Sequence, residues 1–385
     1  MFENVFGQTG VIKALSTELS SKAAPGSRLF SGPAYSAKLT TALELARIAS
    51  CLGNGDWTCN CEACKRSKSL VNPDVVIIGR KLIPEEFACG LDLFERQPGL
   101  ASRYFLCRSI RKILKRFEPE LYMNESGKLQ NIYQLANPLF EYSETILDES
   151  VSKETILKEG KKLIPLFTKL VQAIPKDIPI FLIRAVEAIA HESPWGKHRT
   201  IIIEHADHMQ EPAMNALLKI LEEPPKTISF ILTTRNINAL LPTVRSRLRT
   251  YTFLSRNTLQ LSAIYQKIFR LDNHTEPLDQ FFNSFSLEYD VNIEIYAEQF
   301  VKSIIANEKN FDVTGLKEHI TDQASLRLFI EYMLKHAVKI ASDTDKSSFS
   351  KLQNLISICR ENMKKLELFN ISPGIILETM LFQVL

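Results

Sequence analysis

Four of the seven cysteines fall within one short segment, and thiolates are good ligands for zinc. Cys51, Cys59, Cys61 and Cys64 are separated by seven, one and two residues. Four thiolates in one loop can close a tetrahedral site, and no histidine nearby competes as a ligand. In a chain without a secretion signal, such a cluster favours a metal site over disulfides. The sequence therefore predicts structural zinc at 51–64, with free thiols as the alternative.

A second candidate for chemistry is a turn-like segment that contains part of a phosphate-binding loop. Such a loop reads Gly-x-x-x-x-Gly-Lys-Ser/Thr, because the glycines let backbone N–H groups wrap phosphates, the lysine neutralises them and the hydroxyl holds magnesium. Gly32 and Lys38 have the required spacing, but Ala37 replaces the second glycine, Leu39 replaces the hydroxyl and Tyr35 is bulky. By itself the segment favours a plain strand, turn and helix over a working loop.

Both candidate sites need a framework, and apolar runs in the sequence predict one. A short run at Leu29-Phe30 precedes the loop, and β-branched runs follow at Val75–Ile78, Thr200–Glu204 and Thr227–Thr234. The segment 211–223 has apolar residues at helical spacing and ends at two prolines. Strands that alternate with helices predict a parallel α/β sheet.

Two stretches lack strand signals and have helical periodicity instead. The first, from about residue 80 to residue 175, is predicted to be a helical insertion in the α/β domain. The second lies beyond about Leu254 and is predicted to be all-helical, with a polar loop at 342–350.

Composition and charge limit the function classes. The chain has 385 residues, of which 45% are hydrophobic, and a formal net charge of +3. The length predicts two or three domains at about 150 residues each. The near-neutral charge excludes a protein that coats nucleic acid by bulk charge alone. The first ten residues lack the pattern of a leader, and no apolar run reaches the roughly 20 residues that span a bilayer. We therefore expect a cytoplasmic protein with no membrane partner.

Motifs in the second half of the sheet region resemble a known family. NALLKILEEPP at Asn215–Pro225, ILTT at Ile231–Thr234 and LLPTVRSR at Leu240–Arg247 are specific in combination. Further matches, in the family's order, are Phe6-Gly7-Gln8, the loop at 32–41, the cysteine cluster, Pro73-Asp74, Asn370 and Glu378. The chain resembles the AAA+ clamp loader subunits of bacterial DNA polymerase III, a family that includes the delta-prime and gamma/tau subunits.

The resemblance implies three domains. Residues 1–254 would form a P-loop AAA+ α/β domain that carries the zinc module at 51–64 and the helical insertion at about 80–175. Residues 255–305 would form a small helical lid, and 306–385 a helical collar that joins the subunits. The family's zinc module usually has two residues between its second and third cysteines, so the single residue here requires a tighter turn.

By the same resemblance the nucleotide site is degenerate. Active members have an Asp-Glu pair after the strand, in which the Asp holds magnesium and the Glu polarises the attacking water. Here the pair is Glu204-His205, so a carboxylate remains at the metal position, and His205 is either a substitute base or a residue released from catalysis. Thr234 stands where active relatives sense the terminal phosphate. With the changes in the loop, these replacements imply little or no hydrolysis of ATP with magnesium at the chain's own site.

One catalytic element of the family is retained. Ser246-Arg247-Leu248 matches its Ser-Arg-Cys motif except at the last position. The resemblance implies that Arg247 enters the ATP site of the adjacent subunit, where a permanently charged guanidinium stabilises the transferring phosphoryl group. Without the resemblance, an ordinary surface arginine beside Arg245 and Arg249 is the simpler interpretation.

The implied function is that of a delta-prime-like stator. Such a subunit helps the gamma/tau and delta subunits to load the sliding clamp onto primed DNA without hydrolysing ATP itself. Two alternatives stay open. One is a divergent gamma/tau-type ATPase in which Lys38, Glu204 and His205 still work, and the other is a non-enzymatic scaffold derived from AAA+ proteins.

The helical insertion has one basic face that the resemblance does not explain. Helical periodicity places its basic residues opposite an apolar stripe. The sequence favours a solvated basic face, with phosphate contact as the alternative. The basic residues are Arg108, Arg111, Lys112 and Lys115, and the apolar ones are Leu106, Ile110, Ile113, Leu114 and Phe117.

Overall fold

The computed structural model describes residues 1–20, 26–80, 85–123, 125–285, 291–306, 311–320, 323–341, 346–368 and 373–384. They form two compact units, Met1–Phe282 and Asn283–Leu385. Each unit has an apolar core of its own.

A parallel β-sheet organises the first unit. Its order is β2-β3-β4-β1-β5, and all neighbouring strands within the described residues are parallel. This confirms the predicted α/β fold class and the four predicted strands. The strands are β1 (Arg28–Ser31), β2 (Val75–Gly79), β3 (Arg199–Glu204), β4 (Ile228–Thr234) and β5 (Arg249–Thr252).

Among the described strands, the edge strand β5 is the only one that the sequence does not predict. Of its four residues only Tyr251 is buried, so it lacks the continuous apolar run of a strand that is covered on both faces. Its pairing with β1 aligns Arg249 with Arg28 and Thr252 with Ser31. The strand therefore forms because β1 offers a partner, not because its own sequence favours it.

Helices of the first unit cover both faces of the sheet. They are α1 (Thr9–Ser20), α2 (Lys38–Ser50), α3 (Glu62–Lys68), α4 (Glu86–Arg96), α5 (Leu100–Leu114), α6 (Ser126–Leu147), α7 (Lys153–Gln172), α8 (Ile180–His191), α9 (Glu211–Glu222), α10 (Pro242–Arg245), α11 (Thr258–Ile264) and α12 (Leu278–Asn283). Short 3-10 turns at 115–117 and 119–121 follow α5, and a π-helical turn at 265–269 follows α11.

Alternation along the strands divides the apolar core between the two faces. Ile202 in β3 belongs to the cluster formed with α1 and α2, whereas its neighbours Ile201 and Ile203 belong to the cluster formed with α4 to α9. Successive strand residues point to opposite faces. A strand covered on both sides is therefore apolar throughout, which explains the β-branched runs in the sequence.

All the secondary structure in the described part of the predicted insertion is helical. It contains α4, α5, α6 and α7, which pack on one another and on the sheet. The predicted helix at 211–223 is confirmed as α9, with Met214, Leu217 and Leu221 buried on one side. The polar side of α5 contacts other residues of the chain and is not the predicted solvated face.

The second unit contains helices only, within its described residues. They are α13 (Val291–Ala306), α14 (Val313–His319), α15 (Gln323–Ala341), α16 (Lys346–Leu368) and α17 (Pro373–Val384). Phe300, Phe329, Met333, Leu355 and Met380 are among the side chains of their shared core.

Two predictions concern boundaries in this unit. The polar loop predicted at 342–350 is wrong for its second half, because α16 already begins at Lys346. Its first half, 342–345, lies outside the described residues, as does Asn370.

The lid at 255–305 and the collar at 306–385 stay predictions. Helix α13 belongs to the predicted lid range but packs in the core of α15 and α16.

Among the described helices, none combines the length and the apolar character that are needed to cross a bilayer.

Candidate functional site

The loop between β1 and α2 has positive φ values at Gly32 and at Ala37, although the second glycine is absent. Gly32 has a φ of 155°, and a Cβ atom there would lie 2.3 Å from the carbonyl oxygen of Phe253. Ala37, in place of the second glycine, has a φ of 70° and caps α2 from the left-handed region. A left-handed alanine costs about 1 kcal/mol. The loop therefore keeps its conformation at some cost in backbone strain.

The side chain of Lys38 turns back onto this loop. Its Nζ atom donates to the carbonyl oxygen of Gly32 at 2.7 Å, to that of Pro33, and to Oγ of Ser36 at 3.3 Å. Burial lowers the pKa of Lys38 to about 8, with Arg235 adding to the effect. Lys38 is thus mostly charged at neutral pH, and it lies where the loop carbonyls converge.

The acidic residue at the end of β3 is bound by an arginine from the insertion. Arg116, which is 2% exposed, donates from Nη2 to Oε2 of Glu204 and from Nε to the carbonyl oxygen of Gly79 at 2.9 Å. Burial lowers the pKa of the Arg116 guanidinium, while Glu204 opposes this effect. A fixed cation therefore faces the carboxylate that the sequence places at the metal position. Sequence reasoning missed Arg116, which lies 88 residues before Glu204.

His205 follows Glu204 and is buried in a neutral state. Its φ is 57°, and its backbone N–H donates to Oγ1 of Thr233 at 3.2 Å. Burial lowers the pKa of His205 to about 4, and its Nδ1 atom has no hydrogen-bond partner among the described residues. Thr234 is fully buried and its Oγ1 accepts from the backbone N–H of Asn236 at 3.0 Å, so this hydroxyl serves a local turn.

These groups surround a cavity of about 200 Å³. Lys38, Glu204 and His205 line it together, whereas Gly32 and Thr234 are not among its lining residues. Its other walls are apolar side chains from α5, from α11 to α12 and from the turn between them. Those residues are Phe105, Ile264, Ile268, Phe269, Leu278 and Phe282.

A magnesium ion does not fit this arrangement. Magnesium at a phosphate loop is held by the loop hydroxyl and by an acidic residue, but Leu39 has no hydroxyl, and the carboxylate of Glu204 is engaged by Arg116. The cavity therefore keeps the loop and the lysine of a nucleotide site without the groups that bind its metal.

Arg247 lies at the opposite end of the parallel strands from this cavity. It stands just before β5, whose first residue aligns with the first residue of β1, while the phosphate loop follows the last residue of β1. The residue is exposed, with 32% of its side chain accessible, and its guanidinium donates to Oε1 of Glu222 and, at 2.8 Å, to the carbonyl oxygen of Thr243. An exposed ion pair of this kind is weak, so Arg247 is available to a group outside the chain.

The four clustered cysteines form one compact group. Their sulfur atoms lie within 4.8 Å of one another, with Cys51 Sγ at 3.6 Å from Cys59 Sγ and 4.0 Å from Cys61 Sγ. Four thiolates at about 2.3 Å from a tetrahedral zinc ion would be ~3.8 Å apart. Cys64 completes the set, so these residues fit a zinc ion even with the shortened spacing.

A buried arginine connects the cysteine cluster to α2. Arg47, which is 2% exposed, donates to both carboxylate oxygens of Glu44 and, at 3.0 Å, to Sγ of Cys64. Its two Nη atoms also donate to the carbonyl oxygens of Gly55 and Asp56. The short segment has little apolar core of its own, so this guanidinium supplies the contacts that position it.

The basic side of α5 docks on the end of α3 and on the residues that follow it. Arg108 donates to the carbonyl oxygen of Lys68 at 2.5 Å, Arg111 to that of Ser69 at 2.9 Å, and Lys115 to that of Asn72 at 2.8 Å. The predicted solvated or phosphate-binding face is therefore wrong. Carbonyl groups at the end of α3 need donors and favour cations, and the insertion provides both.

Acid is expected to destabilise the fold through two buried histidines. Burial lowers the pKa of His198 and of His205 to about 4. Because the unfolded values lie near 6.5, protonation favours unfolding, and stability falls as the pH drops from about 6.5 to 4. At pH 5 each histidine should cost about 2 kcal/mol.

Urea denaturation at pH 7 and pH 5 measures this loss. Between the two pH values, the variant His198→Gln/His205→Gln should lose about 2 kcal/mol less per replaced histidine than the native chain. Equal losses in both proteins would show that these imidazoles are not the source.

Comparisons with known proteins show which family the chain belongs to. The family model described as "DNA polymerase III, delta subunit" matches residues 7–257. The chain is 28% identical over 178 residues to DNA polymerase III subunit delta' of Buchnera aphidicola, which is 44% of this chain and 52% of that protein. It is 36% identical over 104 residues to subunit delta' of Bacillus subtilis, which is 27% of this chain and 31% of that protein.

A third relative is DNA polymerase III subunit gamma/tau of Mycobacterium tuberculosis, at 42% identity over 58 residues, 15% of this chain and 10% of that protein. The chain thus spans about half the length, or less, of each of these relatives. The family model covers well over half of the chain. The chain therefore belongs to the DNA polymerase III delta subunit family and is of the clamp loader delta-prime type.

Proposed function

We propose that this chain is a delta-prime-like stator of the replicative clamp loader, working in the cytoplasm with gamma/tau and delta subunits to load the sliding clamp onto primed DNA. The observation that carries the proposal is the contrast between the two ends of the parallel strands. At one end, the carboxylate of Glu204 is bound by Arg116. At the other end, Arg247 is exposed, which an arginine needs if it is to reach the ATP of a neighbouring subunit.

The chain's own cavity is proposed not to hydrolyse ATP. Hydrolysis at a phosphate loop needs a bound magnesium ion and a group that orients the attacking water. The first requirement is not met, because Leu39 has no hydroxyl to hold magnesium and Glu204 is paired with Arg116. His205 is a poor candidate for the second, because its imidazole is buried, and a base whose pKa is about 4 is weak at neutral pH.

Arg247 is proposed to act on ATP bound by a gamma/tau neighbour. In phosphoryl transfer, negative charge spreads over the oxygens of the transferring group, and a guanidinium supplied by another subunit stabilises it. Arg247 would exchange its exposed contact with Glu222 for contact with the phosphate. This exchange costs little, because both partners are solvated in the free chain.

The remaining parts of the chain are proposed to be structural. The cysteine cluster would hold zinc and fix the segment 51–64, which lacks a sizeable core. Residues 306–385 would form the collar that joins this chain to the other subunits, and residues 255–305 would form the lid.

Reconstitution with gamma/tau and delta tests the proposal. The complete complex should show ATPase activity that depends on clamp and primed DNA, and omission of this chain should abolish it. Turnover by the isolated chain that Lys38→Ala abolishes would instead establish a gamma/tau-type ATPase. Failure to co-purify with gamma/tau and delta would leave a scaffold outside the replisome.

A further inference from the structure

The guanidinium of Arg47 uses every N–H donor that it has, and one of these donors goes to sulfur. An arginine side chain carries five such donors. Nε and Nη2 donate to the carboxylate of Glu44, and Nη2 and Nη1 donate to the carbonyl oxygens of Gly55 and Asp56. The remaining N–H of Nη1 is donated to Sγ of Cys64, at 3.0 Å between nitrogen and sulfur. A buried guanidinium without a spare donor has one orientation, so the sulfur that it contacts is held in one place as well.

The orientation of this guanidinium is fixed from outside the cysteine cluster. Arg47 and Glu44 lie three positions apart in α2, and their side chains are 2% and 1% exposed. The ring of Trp57 lies against the guanidinium, with its centre 5.5 Å from Cζ. A charged pair in so buried a place is costly to break. Arg47 therefore reaches the sulfur of Cys64 from a helix that is packed in the core of the sheet domain.

The four sulfur atoms differ in their surroundings. Cys64 is fully buried and Cys51 is 6% exposed, whereas Cys59 and Cys61 are half-buried. The sulfur of Cys51 accepts from the backbone N–H of Gly53 at 3.3 Å, and the sulfur of Cys64 accepts from a cation. Hydrogen bonds from charged donors are about twice as strong as those from neutral ones. The cluster thus has an inner pair, Cys51 and Cys64, and an outer pair, Cys59 and Cys61.

We propose that Arg47 is a positioning residue for the metal, which fixes the sulfur of Cys64 as the anchoring ligand, so that exchange of the ion takes place on the side of the outer pair. A residue that hydrogen-bonds to a metal ligand typically changes metal affinity by about 10- to 100-fold. A metal acceptor in solution reaches the ligands that solvent reaches, and these are the outer pair. The inference rests on the zinc ion of the proposed function and adds the residue that retains it.

Transfer of zinc from the full chain to the chelator pyridylazoresorcinol tests the role of Arg47. Arg47→Met keeps much of the side-chain length without a donor, and it should release zinc at least about 10-fold faster than the native chain. Arg47→Met/Glu44→Gln leaves no unpaired buried charge, so it measures the same loss where the single variant does not fold. Arg66→Met is the matched control, because Arg66 is exposed on α3 two residues after Cys64, and it should release zinc at the native rate.

A spectroscopic measurement separates contact with the sulfur from general support of the segment. In the chain loaded with cobalt, the sulfur-to-metal charge-transfer band depends on the electron density of the sulfur ligands. Loss of a donated N–H raises the energy of the sulfur lone pairs, so the band should move to longer wavelength in Arg47→Met/Glu44→Gln and stay in place in Arg66→Met. An arginine that only supported the loop would leave the band unchanged in both variants.

The order in which the cysteines react tests the direction of exchange. Iodoacetamide and the chelator are added together to the zinc-loaded native chain, and the labelled peptides are identified by mass spectrometry. Cys59 and Cys61 should be labelled before Cys64. In Arg47→Met/Glu44→Gln the delay at Cys64 should shorten, because its sulfur is no longer fixed.

Three results would each overturn the inference while leaving the zinc site in place. They are native release rates in both Arg47 variants, an unshifted cobalt band, and labelling of Cys64 before the outer pair. A native chain that binds no zinc would overturn the metal assignment of the proposed function as well, so the two failures are distinguishable.

Discussion

Replacement of Arg247 by alanine should reduce phosphoryl transfer at the neighbouring ATP site at least about 100-fold in the reconstituted complex. An arginine supplied by another subunit is worth about 10³ to 10⁵ in rate. The alanine variant should still assemble, because Arg247 is exposed and contacts only Glu222 and Thr243 in the described structure. Rapid-quench measurement of phosphate release with clamp and primed DNA should show a burst whose amplitude is smaller by the contribution of this one ATP site.

Two controls separate the role of Arg247 from general effects of charge. Arg249→Ala removes another exposed arginine two residues away and should leave the burst within about twofold of the native value. Glu222→Gln removes the partner that holds Arg247 in the free chain, and it should leave hydrolysis unchanged or faster. An unchanged burst in Arg247→Ala would refute the trans-acting role.

Replacement of Cys64 by serine should release the metal and lower the free energy of unfolding by at least about 4 kcal/mol. Cys64 is fully buried and contacts the guanidinium of Arg47. Three remaining thiolates cannot close a tetrahedral site of four sulfur ligands. Elemental analysis should find one zinc ion per native chain and a substoichiometric amount in the variant, and urea denaturation should measure the loss of stability.

The matched control is a buried cysteine outside the cluster. Cys359 in α16 is equally inaccessible to solvent, and Cys359→Ala should cost only about 1 kcal/mol and keep the metal. Cys61→Ser, at a more exposed ligand, should lose metal as Cys64→Ser does. A native chain without zinc, or a Cys64→Ser variant that keeps its metal, would contradict the assignment.

Features with a local signature in the sequence are found in the structure. The run Thr200–Glu204 is apolar throughout because β3 is covered on both faces, and the spacing of Met214, Leu217 and Leu221 follows the buried side of α9. The cysteine cluster is also predicted from the sequence, since its four cysteines lie within 14 residues.

Features that depend on distant partners could not be predicted. Helical periodicity correctly separates Arg111 and Lys115 from the apolar side of α5, but it cannot say what the polar side meets. That side meets the carbonyl groups after α3, which precede it by about 40 residues in the chain. In the same way, nothing near Glu204 indicates that an arginine 88 residues earlier would bind it.

The contacts of α5 and the turn after it decide whether the insertion is dispensable. Arg108 and Arg111 satisfy carbonyl groups at the end of α3, and Arg116 satisfies Glu204 in the sheet. A chain trimmed of residues 80–175 would bury a carboxylate without its cation and expose the end of α3, each at a cost of a few kcal/mol. The segment is an addition to the sequence of the family but an integral part of this domain, so a shortened version would need new residues at both places to fold.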